Sequence, residues 1–218
     1  MFVVTGGAGF IGSNLVAGLE ARAAGEITVC DQLGQGDKWR NIAKRELADI
    51  VSPAGLFDCL DGLGRRVRAV FHMGAISDTT ARDADRLVAE NVQLTLRLWN
   101  WCAAHGTPFI YASSAATYGD GSAGFDDDGS IEALAKLIPL NLYGWSKHLV
   151  DRRIARLLHT GGVRPPQWAG LKFFNVYGPN ERHKGAQRSV ARQLYETASA
   201  GQPVHLFRSH RPDYGDGG

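Results

Sequence analysis

Glycine spacing near the N-terminus fits a phosphate-binding turn. Gly6, Gly9 and Gly12 satisfy the pattern G-x-x-G-x-x-G, and with Gly7 the tighter G-x-G-x-x-G is also met. The pattern lies between a short apolar run and an amphipathic stretch. Such a turn needs glycine because its backbone must approach a pyrophosphate closely and offer N–H groups at a helix N-terminus. The sequence therefore predicts a dinucleotide site here.

An acidic residue follows at the distance expected for ribose binding. Asp31 closes the next apolar run, 19 residues after Gly12. A carboxylate there can accept hydrogen bonds from the adenosine ribose, and it favours NAD because it repels the 2′-phosphate of NADP. Gln32, Lys38 and Arg40 follow closely, and a lysine that reaches the 2′-phosphate would reverse that preference. The spacing leaves NAD and NADP open.

A phenol and an ammonium are four residues apart at Tyr143 and Lys147. On a helix both lie on one face. Near an ammonium and a cationic nicotinamide the Tyr143 pKa should fall toward neutrality, as a general base requires. Ser114 follows an apolar run, and ligands of parallel sheets bind at the carboxyl ends of strands, so its hydroxyl can reach the same reacting oxygen. These three residues are the predicted proton-transfer set.

A third polar segment follows the last strong apolar run. Asn175 is a candidate for substrate binding, and Lys184 is a candidate for a second acid/base or a phosphate contact. A surface loop with an ordinary lysine fits the same spacing, so the segment does not by itself settle the role of Lys184.

Short apolar runs that alternate with helical patterns must position these groups. That alternation is typical of consecutive βα units and a parallel sheet. Strands are predicted at 2–5, 27–30, 67–72, 109–112 and 171–175, and the clearest helices at 13–23, 83–104 and 142–159. The fold class expected is α/β, a Rossmann-type doubly wound parallel sheet over residues 1–174. Residues 175–218 are expected to begin a smaller, incomplete C-terminal substrate-binding domain.

Composition excludes several function classes. The 24 Lys and Arg residues against 22 Asp and Glu leave a net charge of +2, which is too little positive charge for a typical nucleic-acid binder. Cys30, Cys59 and Cys102 are widely spaced, so neither a disulfide framework nor a metal site is indicated, and a reducing, cytoplasmic compartment is expected. No apolar run approaches 18 residues and no signal-peptide pattern is present, so no membrane location is expected.

Over the whole chain these motifs resemble the extended short-chain dehydrogenase/reductase superfamily, the nucleotide-sugar epimerases and dehydratases. More narrowly, the chain is similar to members that epimerise ADP-heptose. The stretches that carry this likeness are 5–14, 71–77, 111–119, 141–147 and 173–185. Most specific is His183-Lys184-Gly185 after an Asn-Val-Tyr-Gly-Pro run.

The resemblance implies an isomerase of lipopolysaccharide heptose synthesis that uses tightly held NADP. C6 of the sugar would be oxidised to a ketone, and hydride would then return to the opposite face. One base cannot serve both faces, so Tyr143 would act on one side and Lys184 on the other. Ser114 would hydrogen-bond the oxygen that becomes the carbonyl, and Lys147 would hold the nicotinamide ribose.

The resemblance also implies binding residues, at the positions that match the motifs of the family. Cofactor contacts are implied at Gly6, Gly9, Phe10, Ile11, Gly12, Asp31, Gln32, Lys38, Met73, Gly74, Ala75, Ile76, Ser77, Asn91, Lys147 and Val176. Substrate contacts are implied at Ser114, Asn175, Ala186, Gln193, Phe207, Arg208, Ser209 and His210. Where some members carry a lysine and a histidine, this chain has Pro53 and Gln193.

Family members form homo-oligomers and continue for roughly a hundred residues more, the rest of a substrate-binding domain, so the resemblance implies a C-terminally shortened chain. Two alternatives stay open at this stage. One is another nucleotide-sugar epimerase or a dehydratase, although a dehydratase would need a glutamate near Ser114, where Asp120 and Asp126 fit poorly. The other is a non-catalytic nucleotide-binding protein.

Overall fold

A computed structural model describes residues 1–206 and 208. Its sheet has six parallel strands in the order β3-β2-β1-β4-β5-β6. The strands are β1 Phe2–Thr5, β2 Ile27–Cys30, β3 Asp49–Val51, β4 Ala69–His72, β5 Phe109–Ser114 and β6 Trp168–Phe173. The α-helices are α1 Phe10–Ala21, α2 Leu56–Leu63, α3 Ala84–Leu87, α4 Leu94–His105, α5 Ile131–Leu134, α6 Leu142–His159 and α7 Val190–Ser199. The predicted α/β Rossmann-type doubly wound parallel sheet is confirmed.

The chain divides into two compact units, Met1–Phe174 and Asn175–Gly218. The first unit contains the whole sheet and helices α1 to α6, and the second contains α7. That the second unit begins a substrate-binding domain stays a prediction.

The sheet separates two apolar layers. Val3 and Val4 are neighbours in β1 and both fully buried, yet they belong to different hydrophobic clusters because successive side chains of a strand point to opposite faces. Trp99 and Phe109 lie in the first cluster, and Val16 of α1 lies in the second. All four residues of β2 are buried, as expected for a parallel strand that is covered on both sides.

The long helix predicted at 83–104 is built differently from the prediction. A π-helical turn, Val88–Gln93, interrupts it between α3 and α4. Past this wider turn, Thr95 and Trp99 are buried, whereas Leu94 is only partly buried. Insertions of this kind are frequent at functional sites.

One strand was not predicted, and the bounds of β4, β5 and β6 differ from the predicted ranges. Strand β3 was missed because Asp49 and Ile50 are exposed at the sheet edge and carry no buried alternation. Strand β6 begins at Trp168, three residues before the predicted start, because pairing with Phe109 of β5 sets its register. None of the helices in the part of the chain that the structure describes combines the length and the apolar content that a membrane span requires.

Candidate active site

Sheet topology places two loops side by side at the carboxyl edge. β1 pairs with β2 on one side and with β4 on the other, so the sequence order of the strands reverses at β1. The turn after β1 therefore adjoins the loop at 73–77 after β4, and the Met73 N–H donates to the Thr5 carbonyl over 3.1 Å. Open α/β sheets bind ligands in the crevice at such a switch point.

The glycine turn has room for nothing larger than hydrogen at two positions. Gly6 has φ +65°, and a β-carbon there would lie 2.6 Å from the Gly74 backbone. A β-carbon on Gly12 would lie 2.1 Å from the Gly6 carbonyl oxygen. Gly9 is the N-cap residue of α1, where first-turn N–H groups have no partners within the helix. The glycine turn, residues 6–12, therefore fits a pyrophosphate.

Asp31 and Lys38 form an ion pair beside this turn. One Asp31 carboxylate oxygen accepts from the Ala8 N–H over 2.8 Å, and the other accepts from the Lys38 ammonium. The Asn41 amide donates to the Ala8 carbonyl over 2.9 Å, so both sides of that residue are held. Sequence reasoning found Asp31 and Lys38 but missed Asn41, which only the turn at Asp37–Asn41 brings back to the glycine turn.

Ser114, Tyr143 and Lys147 lie together in the first unit. The Ser114 side chain lies near enough to the Tyr143 phenol to lower its pKa. Lys147 is 3% exposed, and its ammonium donates to the Ala112 carbonyl over 2.8 Å. Asn141 caps α6, accepting from the Gly144 N–H over 2.8 Å, and so fixes where the helix begins. The structure thus brings the predicted set together, while the chemical roles stay predictions.

Burial shifts the pKa values of Tyr143 and Lys147 in opposite directions. Burial raises the pKa of Tyr143 above its ordinary value, although the Ser114 side chain acts in the opposite direction. Burial also lowers the pKa of Lys147 to about 8, against the opposing effect of the Asp151 carboxylate. The expected depressed tyrosine pKa is therefore not produced by the chain's own groups, because desolvation outweighs them.

A buried carboxylate behind the set was missed by sequence reasoning. Asp151 accepts from the Tyr111 phenol over 3.0 Å, from the Ser113 hydroxyl over 2.8 Å and from the Lys172 ammonium over 2.6 Å. It thereby ties α6 to β5 and β6. The available signal was its position four residues after Lys147, within the helix face that packs on the sheet.

The loop at 73–77 is held by a side chain that the resemblance assigned to the cofactor. The Asn91 amide accepts from the Ile76 N–H over 2.9 Å and donates to the Ile76 carbonyl over 3.0 Å. It also donates to the Ser146 hydroxyl over 3.0 Å, and Asn91 is fully buried. Asn91 therefore contacts the loop and α6, and its implied contact with a cofactor stays a prediction.

The second unit contains Lys184 in an ordered turn. The Lys184 N–H donates to the Glu181 carbonyl over 2.9 Å within the turn Arg182–Gln187. The buried Glu181 carboxylate accepts from the backbone N–H groups of Gly178 and Ser189. Burial alone would raise the pKa of Glu181, but these bonds outweigh it and lower the pKa. Sequence reasoning missed Glu181, which closes the loop that carries Lys184.

The remaining predicted substrate residues have mixed positions. Gln193 donates to the Arg188 carbonyl over 2.7 Å, and Asn175, Ala186 and Arg208 are exposed. Phe207, Ser209 and His210 lie outside the described residues.

Comparison with a family model gives a match over nearly the whole chain. The NAD dependent epimerase/dehydratase family matches residues 2–216. That range includes the glycine turn, the Ser114–Tyr143–Lys147 set and the loop of Lys184.

Similar proteins carry related names. A relative from Nitratidesulfovibrio vulgaris, named ADP-L-glycero-D-manno-heptose-6-epimerase, is 46% identical over 100% of this chain and 66% of its own length. A Fusobacterium nucleatum protein of the same name is 44% identical, with 100% and 65% covered. The chain thus spans about two thirds of these curated relatives.

Solved structures agree in fold. The Helicobacter pylori ADP-L-glycero-D-manno-heptose-6-epimerase superposes with a TM-score of 0.77 at 29% identity, covering 94% of this chain and 65% of that one. The UDP-glucuronic acid 4-epimerase of Bacillus cereus, solved in complex with NAD, has a TM-score of 0.72 at 26% identity, with 94% and 65% covered.

The two glycines of α1 offer a test of whether the close packing of the glycine turn requires glycine. Gly12→Ala should lower the free energy of unfolding by about 1–3 kcal/mol, because the new β-carbon forces the Gly6 backbone to move. Gly18→Ala is the control: its nearest neighbour is the Arg22 side chain at 3.4 Å, and alanine favours a helix by about 0.5–1 kcal/mol. Urea unfolding measures both, and equal effects would contradict the steric argument.

Proposed function

We propose that this chain, which belongs to the NAD dependent epimerase/dehydratase family, acts as an epimerase at C6 of ADP-glycero-manno-heptose. The substrates would be the D-glycero and L-glycero forms of ADP-β-D-manno-heptose. The single observation that carries the proposal is the 46% identity to a protein named for this reaction. Ser114 and Lys147 are buried and Tyr143 is partly buried, and together they supply groups suited to it.

The glycine turn, Asp31, Lys38 and the loop at 73–77 would hold a nicotinamide dinucleotide. When bound, that cofactor supplies hydride exchange and a positive charge on its oxidised ring. We favour NADP over NAD. The Lys38 ammonium pairs with the Asp31 carboxylate and so offsets the negative charge that would repel a 2′-phosphate.

Tyr143 would take the proton of the C6 hydroxyl as hydride leaves C6. A raised phenol pKa opposes this step. The Ser114 hydroxyl lowers that pKa, and a bound cationic nicotinamide would lower it further. Ser114 would also steady the oxygen as it becomes a carbonyl, whereas Lys147 would hold the ribose from its position against the Ala112 carbonyl.

Lys184 would act on the opposite face of the ketone. When hydride returns there, the carbonyl oxygen needs a proton from that side, and an ammonium can supply it. The loop closed by Glu181 supports this role because it fixes the backbone that carries Lys184. Asn175, Val176, Ala186 and Gln193 are proposed to line the site.

The same proposal places the protein in the cytoplasm, in lipopolysaccharide heptose synthesis, and as a homo-oligomer. The cytoplasmic location rests on the wide spacing of the three cysteines, and the pathway and the homo-oligomer rest on the resemblance to the heptose epimerases.

The direct test is incubation of the purified chain with ADP-D-glycero-β-D-manno-heptose, followed by resolution of the two C6 epimers. Interconversion without net redox change is expected, and denaturation should release NADP. Conversion of a UDP-sugar instead, with the ADP-heptose unchanged, would favour a 4-epimerase. A bound nicotinamide nucleotide without any conversion would favour a nucleotide-binding role.

Two substitutions test the proposed acid/base pair. Tyr143→Phe and Lys184→Met should each lower kcat by about 10²–10⁴-fold, the usual contribution of a general acid or base. Cofactor content after purification should be unchanged, because neither side chain is proposed to carry the dinucleotide. The control is Lys136→Met, an exposed lysine outside the proposed site. Wild-type turnover in either variant would contradict its assigned role.

Cofactor preference is tested at Lys38. Lys38→Met leaves the Asp31 charge uncompensated, so the ratio of NADP to NAD affinity should fall about tenfold or more. Arg40→Met is the control, since Arg40 is exposed and paired with Asp37. Dissociation constants for both nucleotides measure the ratio, and an unchanged ratio in Lys38→Met would refute the pairing argument.

A further inference from the structure

A histidine that the proposed reaction does not use lies at the end of β4. His72 is 1% exposed. Its Nδ1 lies 2.6 Å from the Thr5 hydroxyl oxygen, and its Nε2 lies 2.9 Å from the Thr95 hydroxyl oxygen. Burial, with a smaller contribution from Lys147, lowers the pKa of His72 to about 3, so the imidazole is neutral at physiological pH.

The neighbours of His72 fix which nitrogen holds the proton. The Thr95 hydroxyl donates its only hydrogen to the Asn91 carbonyl over 2.6 Å, so it can only accept from His72. Nε2 must then be the protonated nitrogen, and Nδ1 must accept from the Thr5 hydroxyl. The Thr5 oxygen in turn accepts from the Gly74 N–H over 3.2 Å. The donor and the acceptor of every hydrogen bond in this series are therefore fixed.

The two ends of this series of hydrogen bonds lie on segments that position the site. At one end, Gly74 belongs to the loop packed against Gly6. At the other end, Asn91 lies in the π-helical turn and bonds Ile76 and Ser146 through its amide. Ser146 donates to the Tyr143 carbonyl over 2.7 Å, which brings the connection to the start of α6.

We propose that His72 is a positioning residue, held as the neutral Nε2–H tautomer, that couples the loop at 73–77 to the helix carrying Tyr143 and Lys147. The dinucleotide part of this inference rests on the proposed function. His72 touches no reacting atom. It holds β1, β4 and the π-helical turn in fixed positions relative to one another. The loop and the helix that carries Tyr143 and Lys147 therefore keep their positions when a nucleotide binds.

The alternative is a core histidine whose hydrogen bonds are merely satisfied. Such a residue would affect stability without a preferred effect on nucleotide binding. A tautomer measurement and a binding measurement together distinguish the two.

The first test uses ligand-free protein with ¹⁵N-labelled histidine. Two-bond ¹⁵N–¹H correlation spectra should show His72 as the Nε2–H tautomer, with no titration between pH 6 and 8. The Nδ1–H tautomer or an imidazolium in that range would overturn the proposal. This result does not depend on any activity of the chain.

The second test measures the dissociation constant of NADP for His72→Phe and Thr5→Val. His72→Phe keeps an aromatic ring beside Phe109, whose centroid lies 6.2 Å away, and Thr5→Val keeps the volume. Each should raise the dissociation constant about tenfold, because each removes a hydrogen bond from the series through His72. Thr5→Ser retains the hydroxyl and should bind as the wild type does.

Thr28→Val is the matched control. Thr28 is a buried threonine of β2 whose hydroxyl contacts only the Met1 sulfur among the bonds described. It should leave the dissociation constant unchanged even if the melting temperature falls. If His72→Phe fails to fold, the comparison of Thr5→Val with Thr5→Ser tests the proposal. Wild-type affinity in Thr5→Val would overturn the proposal, whereas a wild-type chain that binds no nicotinamide nucleotide would instead overturn the proposed function.

Discussion

The close approach between the turn after β1 and the loop after β4 is the constraint on which the site depends. A β-carbon at Gly6 would lie within 2.6 Å of Gly74, so the two segments meet only if the turn lacks side chains. This contact sits where the strand order reverses, the point at which a parallel sheet opens a crevice. The same turn leads into α1, so the predicted phosphate-binding turn and the switch point of the sheet meet at one close backbone contact.

Desolvation governs the electrostatics of the adjoining set. Lys147 and Asp151 occupy successive turns of α6 and are both buried, which is tolerable because each has hydrogen-bond partners on the sheet. Burial pushes the pKa of Lys147 down and that of Tyr143 up, toward the neutral form of each. In the chain alone the two groups are therefore poised against ionisation, and a bound cation near the phenol would favour its charged form.

Polar connections in the interior run between segments that are far apart in sequence. Thr5, His72 and Thr95 belong to a strand end, a second strand end and a helix, yet they share one line of hydrogen bonds. In a medium of low dielectric, each such bond must be made, because an unpaired buried group is costly. The network therefore favours the arrangement of the loop and helices in which all of these bonds are made.

The sequence by itself determined the parallel α/β fold, and local patterns pointed to the glycine turn, to Asp31 and Lys38 as separate candidates, and to the Tyr143–Lys147 pair. The ion pair between Asp31 and Lys38 was decided by the tertiary structure. Strand β3 and the π-helical turn escaped prediction because pairing and packing with distant residues create them. Asp151 and the line through His72 likewise required the tertiary structure. Their partners come from other strands, and the direction of a hydrogen bond depends on every neighbour of the atoms involved, which no local spacing records.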